Sequence, residues 1–312
     1  MAIYDYEGNP LSVGNIFVNV KDFGAKGNGS FNDSTAIQSA IDSIKDVGGI
    51  VFFPKGTYAL GTGLIFYSNQ TLVFENGATL LQGASINNLL MSYCASTVGG
   101  YEGTHDCYIY GATFDGGAYT TNNTLVGTIH AKNIVFENCT FKNAYGTWHD
   151  IEINSSYNVK LINCDFEGSR KTGANGEMIQ IDAINNSDTW PWDSNRGLID
   201  STVSKYIDIV GCYFHDSTVV PAIGNHSGMG NNFIKIHDCV FDGLTSTRSA
   251  IYLQGTYNLD IYDNTFNECT TCIGSSGTTH YIHDNRFVNA TTAISGTSSI
   301  AHNNIINGTY TA

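Results

Sequence analysis

A four-residue ending recurs along this chain and constrains its fold more than any other feature. It reads Asn138-Cys139-Thr140-Phe141, Asn163-Cys164-Asp165-Phe166, Gly211-Cys212-Tyr213-Phe214 and Asp238-Cys239-Val240-Phe241. Asp263-Asn264-Thr265-Phe266 and Asp284-Asn285-Arg286-Phe287 continue it. Gly111-Ala112-Thr113-Phe114 is an early copy, and Asn303-Asn304-Ile305-Ile306 a degenerate last one. Strand-forming residues precede each copy, and the period lies in the twenties. That is the signature of a solenoid, in which each repeat is one coil and touches only its neighbours. The expected fold is all-β, a parallel β-helix of roughly ten coils.

Composition agrees. Of 312 residues, 42% are hydrophobic, enough for a long core, while only 13% are charged. Gly, Asn, Ser and Thr are abundant, as many short strands joined by turns require. A net charge of −14 with no basic run argues against nucleic acid as a partner. No apolar stretch approaches the length of a membrane span. The opening, MAIYDYEGNPLSVGN, has neither a basic start nor an apolar run, so no signal peptide is expected in this chain. Four of the eight cysteines (Cys139, Cys164, Cys212, Cys239) share one place in successive repeats, which predicts an internal stack of free thiols. Cys269 and Cys272 form a C-x-x-C at a turn without a partner pair, so zinc is not expected there.

Residues 1–16 read as an N-terminal arm, and 17–312 as one β-helix domain. Within it a helix is expected at about 33–47, starting after Asn32 or Asp33 and ended by Gly48-Gly49. Ala36, Ile37, Ala40, Ile41 and Ile44 fall on one helical face, suited to plugging the open end of the core. No capping element is visible in the last rung, SSIAHNNIINGTYTA, which predicts exposed strand edges there.

The segment VKDFGAKGNGSFNDSTAIQSAID…GGIVFFPKGTY, within residues 18–60, resembles the N-terminal signature of the pectate-lyase-like superfamily, in its polygalacturonase-like and phage tailspike members. The resemblance implies a right-handed β-helix and an extracellular or virion-associated setting. Its members include polysaccharide lyases, glycoside hydrolases, epimerases, esterases and non-catalytic fibres, so fold alone does not name the reaction. Trimeric phage spikes of this kind make a homotrimer one expectation. Ile223–Gly228, IGNHSG, is similar to the Gly-His-Gly segment of polygalacturonases, with His226 in the place of their histidine. That family's paired Asp-Asp, Asn-Thr-Asp and Arg-Ile-Lys are not present as such.

The repeat also serves as a ruler. A second strand, about a dozen residues before each Phe, aligns as 126–130, 150–154, 178–182, 222–226, 250–254 and 272–276. Alternation places Ile151, Ile153, Ile179, Ile181, Ile223, Ile251 and Leu253 inward and their neighbours toward solvent. One outward column is then His130, Asn154, Asp182, His226, Gln254; another is Thr128, Glu152, Gln180, Gly224, Tyr252. His130, Asp150, Glu152, Asp182 and His226 gather on one face of a chain that has few charges. Glu152 and Asp182 lie on a diagonal, about 8 Å apart at Cα, compatible with the carboxyl spacing of an inverting glycosidase, while side-chain direction could shorten it to the retaining range.

Turns add to this face. Between Asp182 and Phe214 the repeat carries an insertion with Trp190, Trp192 and Arg196, and aromatic rings beside carboxylates suit sugars. Trp148 and His149 stand at the mouth, Glu177 precedes the strand, and Arg170 and Lys171 suit a uronate or other anion.

Three functions remain open. A glycoside hydrolase needs a protonated acid and an ionised carboxylate, drawn from Asp182 and Glu152, then Asp150 and Glu177, with His226 and His130 tuning them. Trp190, Trp192, Trp148 and Tyr252 would form the sugar-binding walls. No cofactor is required. A polysaccharide lyase would use His226 or Lys171 as base, with Asp150, Glu152 and Asp182 holding Ca²⁺. A non-catalytic glycan-recognition fibre is the third. The partner in each case is a polysaccharide.

Overall fold

A computed structural model of the chain describes residues 16–312, apart from 169, 173–175, 186–196, 227, 297–298, 308 and 312. Nearly all of the N-terminal arm, together with Trp190, Trp192 and Arg196, lies outside the described residues. What is described is a parallel β-solenoid of about ten coils with a single α-helix among those residues. The central coils each present one stretch of strand to each of three faces. The coil that holds Glu152 shows the pattern: Ile151–Asn154 on the first face, Tyr157–Ile162 on the second and Asp165–Glu167 on the third. Among the described residues, no helix is long and apolar enough to cross a membrane.

The repeated ending builds the third face. Phe114, Phe141, Phe166, Phe214, Phe241, Phe266 and Phe287 pair in register, fully buried, with ring centroids 4.5–5.1 Å apart. Residues before them enter the left-handed region: Asn138, Asn163, Asp238, Asp263, Asp284 and Asn303 all have φ between 51° and 56°. Short polar side chains tolerate that conformation, which explains the Asn/Asp preference of the motif. The cysteines are free and buried, as expected. The thiols of Cys139, Cys164, Cys212 and Cys239 each bond a carbonyl of the preceding rung, for example Cys164 to Phe136 at 3.6 Å. From Asn264 onward the same slot is filled by a buried amide ladder, Asn264–Asn285–Asn304. Phe166→Ala would open a cavity inside this stack. A loss of about 3–5 kcal/mol is expected, read from the urea midpoint, with Phe166→Leu costing clearly less.

Two end features differ from the sequence expectation. The helix runs only Ser34–Asp42, because residues 43–47 continue as tighter turns, with Lys45 N bonding Asp42 O and Val47 N bonding Ile44 O. Asp33 occupies the cap position, yet its carboxylate accepts from Lys26 N (2.6 Å) and Gly27 N (3.0 Å), while Asn32 takes Ser34 N. Ile37, Ala40, Ile41 and Ile44 do enter the core. At the other end, Thr309–Thr311 folds back antiparallel on Asn304–Ile306, so the last strand of the third face is covered.

Candidate functional site

On the first face, Ile151 pairs with Ile179, Ile179 with Ile223, and Ile223 with Ile251. These inward isoleucines fix the outward row Glu152, Gln180, Gly224, Tyr252 and the pair Asn154 and Asp182. The two acids therefore stand on a diagonal. Each has an amide beside it on its own strand: Asn154 Nδ2 donates to Glu152 Oε1 at 2.8 Å, and Gln180 Nε2 donates to Asp182 Oδ2 at 3.0 Å. Alternating acid and amide in both directions keeps the carboxylates from becoming direct neighbours.

This row does not face solvent as alternation alone suggested. Glu152 is 2% exposed, Gln180 3% and Asp182 1%. Polar side chains from the preceding strand and from the turns cover it. Thr124 bonds Glu152 Oε2 at 3.4 Å, and Glu177 lies across Gly224, where an added Cβ would come within 2.7 Å of Glu177 Cγ. Burial pushes the Glu152 carboxyl up to about 8, reinforced by the charge of Asp182 and opposed by the bonds from Asn154 and Thr124.

Beside this row lies a second polar cluster. Lys171 Nζ sits 3.1 Å from Asp150 Oδ1 and donates to Trp148 O at 2.9 Å. Both members of the ion pair are buried. Burial raises Asp150 to about 6 against the pull of Lys171, and lowers Lys171 against the pull of Asp150. Glu177, fully buried, meets His226 Nε2 at 2.9 Å, Arg248 Nη1 at 2.7 Å and His149 Nδ1 at 3.4 Å. Burial opposes the charged form of His226, but its hydrogen bond to Glu177 and the charges of Glu177 and Asp182 outweigh that and raise its pKa. His149 is held well below the usual range by burial, helped by the charges of His226 and Lys171. Arg248 also stacks over Tyr252 at 4.4 Å. With His226 and Gln254 it forms the accessible mouth of the cluster.

His149, Glu177 and His226 bring ligand-type atoms within 4.8 Å of one another. They suit a metal poorly, because His149 Nδ1 accepts the Glu177 N–H at 3.2 Å and Arg248 already balances Glu177. The three carboxylates considered for Ca²⁺ do not converge either. Asp150 turns to Lys171, Glu152 to Asn154, and Asp182 to Gln180 and the His226 N–H (2.8 Å).

His130 does not join the site. Val126, not Gly127, pairs with Ile151, so the expected alignment of 126–130 is off by one residue, and a one-residue slip moves every side chain to the other face. Its ring nitrogens instead lie 2.8 Å from Gly100 O and 2.8 Å from Leu198 O. Arg170 also departs, bonding Tyr119 O at 2.9 Å and lying over the Tyr145 ring. Trp148 is half-buried and enters the cluster through its carbonyl. His226 follows the end of the strand Ile223–Gly224, and it reaches Asp182 through its backbone N–H rather than as a column neighbour. Gln254 is exposed and bonds the Tyr252 hydroxyl.

Sequence reading missed Arg248 and Thr124, which lie in no motif. Gly224 was the available signal, since a glycine in an outward column marks space that another side chain can fill.

Residues 17–295 match the family model described as rhamnogalacturonase A/epimerase, pectate lyase-like. This chain belongs to that family. A curated relative of this family member is the plasmin and fibronectin-binding protein A of Streptococcus pneumoniae, 30% identical over 263 residues, covering 73% of the chain and 36% of the relative. The chain thus spans about a third of that protein. Among solved structures, PfbA, a surface adhesin of Streptococcus pneumoniae, superposes with a TM-score of 0.76 at 22% identity, covering 93% of this chain and 78% of the other. Geobacillus virus E2 ORF18 gives 0.65 at 20% identity, covering 93% and 56%. Both share the right-handed parallel β-helix of the family.

Proposed function

We propose that this chain binds a polysaccharide over the first face and hydrolyses it, with Glu152 as general acid and Asp182 as general base. The observation that carries this reading is a diagonal pair of buried carboxyls on adjacent rungs, each held by an amide of its own strand and not by the other. Burial pushes the Glu152 carboxyl up to about 8, which keeps it protonated near neutral pH, and Asp182 on the next rung accepts hydrogen bonds from Gln180 and the His226 N–H. In the reaction Glu152 gives its proton to the glycosidic oxygen as the C–O bond breaks. Asp182 takes a proton from the water that attacks the anomeric carbon from the opposite side, which inverts its configuration. Arg248, Tyr252 and His226 at the mouth bind sugar hydroxyls or a uronate carboxylate. The reading extends to an extracellular or virion-associated setting, and to a homotrimer, which light scattering tests.

Asp182→Asn is expected to lower the release of reducing ends from a cleaved polysaccharide by about 10²–10⁴-fold while leaving glycan binding in place. A second reading, glycan recognition without cleavage, draws on the burial of both carboxyls. A polysaccharide panel separates the readings. Binding without new reducing ends selects recognition, and absorbance from an unsaturated uronate selects elimination.

A further inference from the structure

On the second face, a column of left-handed residues runs up the solenoid. It is Asp106, Asn133, Asn158, Tyr206, Phe233, Asn258 and Thr279, with φ between 50° and 61°. Asn is at home here. Asn133 Nδ2 bonds Asp106 Oδ1 at 2.7 Å, Asn158 Nδ2 bonds Asn133 Oδ1 at 2.8 Å, and Asn258 Nδ2 bonds Asn232 Oδ1 at 2.8 Å. Tyr206 and Phe233 break this ladder. A bulky ring at positive φ carries a steric penalty that Asn avoids. Core packing does not offset it, because Tyr206 is 43% exposed and Phe233 42%. Their rings stack on each other at 4.7 Å and 4°. Among the described residues, Phe233 has no ring partner on its other side, where the next residue of the column is Asn258.

These rings line one side of a groove of about 440 Å³ that reaches Tyr281, itself 41% exposed. Its floor is the adjoining outward column, where Lys160, Asp208, Lys235, Asp260 and Tyr281 follow one another in register. The floor thus alternates cation and anion. Asp208 is held from the side by His237 and Asp260 by His283, each at 3.1 Å, so the acceptors are fixed before any ligand arrives.

We propose that this groove is a second glycan-binding site, on a different face from Glu152 and Asp182, for a neutral, hydroxyl-rich polysaccharide strand. Alternating donors and acceptors with no net charge match hydroxyl groups better than a polyanion, which the aspartates would repel. The open face of Phe233 and the Tyr281 ring supply stacking for apolar sugar faces. Rungs about 4.8 Å apart give a repeating set of contacts along the strand.

The test is affinity electrophoresis of the full chain in gels containing neutral polysaccharides, β-glucans and galactans among them. Wild type should be retarded. Tyr206→Asn and Phe233→Asn should each weaken retardation at least fivefold while their melting temperatures stay level or rise, since each restores the favoured ladder residue. Val240→Ala, an exposed position on the third face, should leave this retardation intact. The proposal is overturned by any of four results: no neutral glycan retards the wild type; Phe233→Asn binds as wild type; both Asn variants melt lower, which makes the rings a packing device; or Phe233→Asn abolishes a concentration-dependent dimer, which makes this face a contact between copies.

Discussion

Glu152→Gln is expected to melt higher than the wild type at pH 9, to match it near pH 4, and to lose cleavage. Glu152 rises from 4.5 to about 8 on folding, chiefly through burial. The folded state therefore holds this proton more tightly than the unfolded chain does. Its stabilising contribution is complete below about 4.5 and is lost as pH rises through about 8. Glutamine keeps the shape and removes the charge that burial opposes. The full shift sets a ceiling of roughly 5 kcal/mol, and relaxation around the ionised group brings the expected gain to about 1–3 kcal/mol. Calorimetry at pH 4 and pH 9 reads the difference between the two proteins. Equal melting at pH 9 would remove the basis for treating Glu152 as a buried acid. Cleavage by the wild type should fall on the alkaline side as the same proton is lost. A substitution that strengthens the fold while ending turnover is what a site tuned against stability produces.

Lys171→Met should produce the opposite outcome for stability. It strands Asp150, fully buried, without the one ion-pair partner it has among the described residues. Breaking a buried pair from one side costs about 3–5 kcal/mol. Because Asp150 already stands at about 6 through burial, the orphaned carboxyl takes up a proton in acid, so the deficit should shrink at pH 5 relative to pH 8. The double variant Asp150→Asn with Lys171→Met should recover most of the loss. Urea unfolding at the two pH values measures both effects. A single variant as stable as the wild type at pH 8 would show that the pair carries no charge.

Fold and site were legible to different degrees, and the reason is physical. Inward positions repeat because one Phe or Ile packs on the next, so the third face and the rungs from Ile151 to Ile273 could be aligned by hand. The register failed at 126–130, where Gly127 was set in a slot that isoleucine fills elsewhere and Val126 is the residue that packs inward. Exposure was not legible at all. Alternation tells which face a side chain takes, and it says nothing of what the neighbouring turns lay over it. Glu177 crossing Gly224, and Arg248 reaching Glu177 from a turn without a motif, are long-range placements that no local pattern encodes.

The unequal spacing of the coils has a further consequence, for how the chain diversifies. Asn133 and Asn158, on adjacent rungs, are 25 residues apart, whereas Asp165 and His215, also on adjacent rungs, are 50 apart. Doubling a loop adds only about 0.6 kcal/mol of closure entropy. In a fold whose strands pair only with those of neighbouring rungs, that penalty stays largely local and does not spread along the core. Variation in length is therefore cheap beside Asp182, where it can reshape what the protein recognises. It would cost far more in a compact fold, whose core is shared by every element.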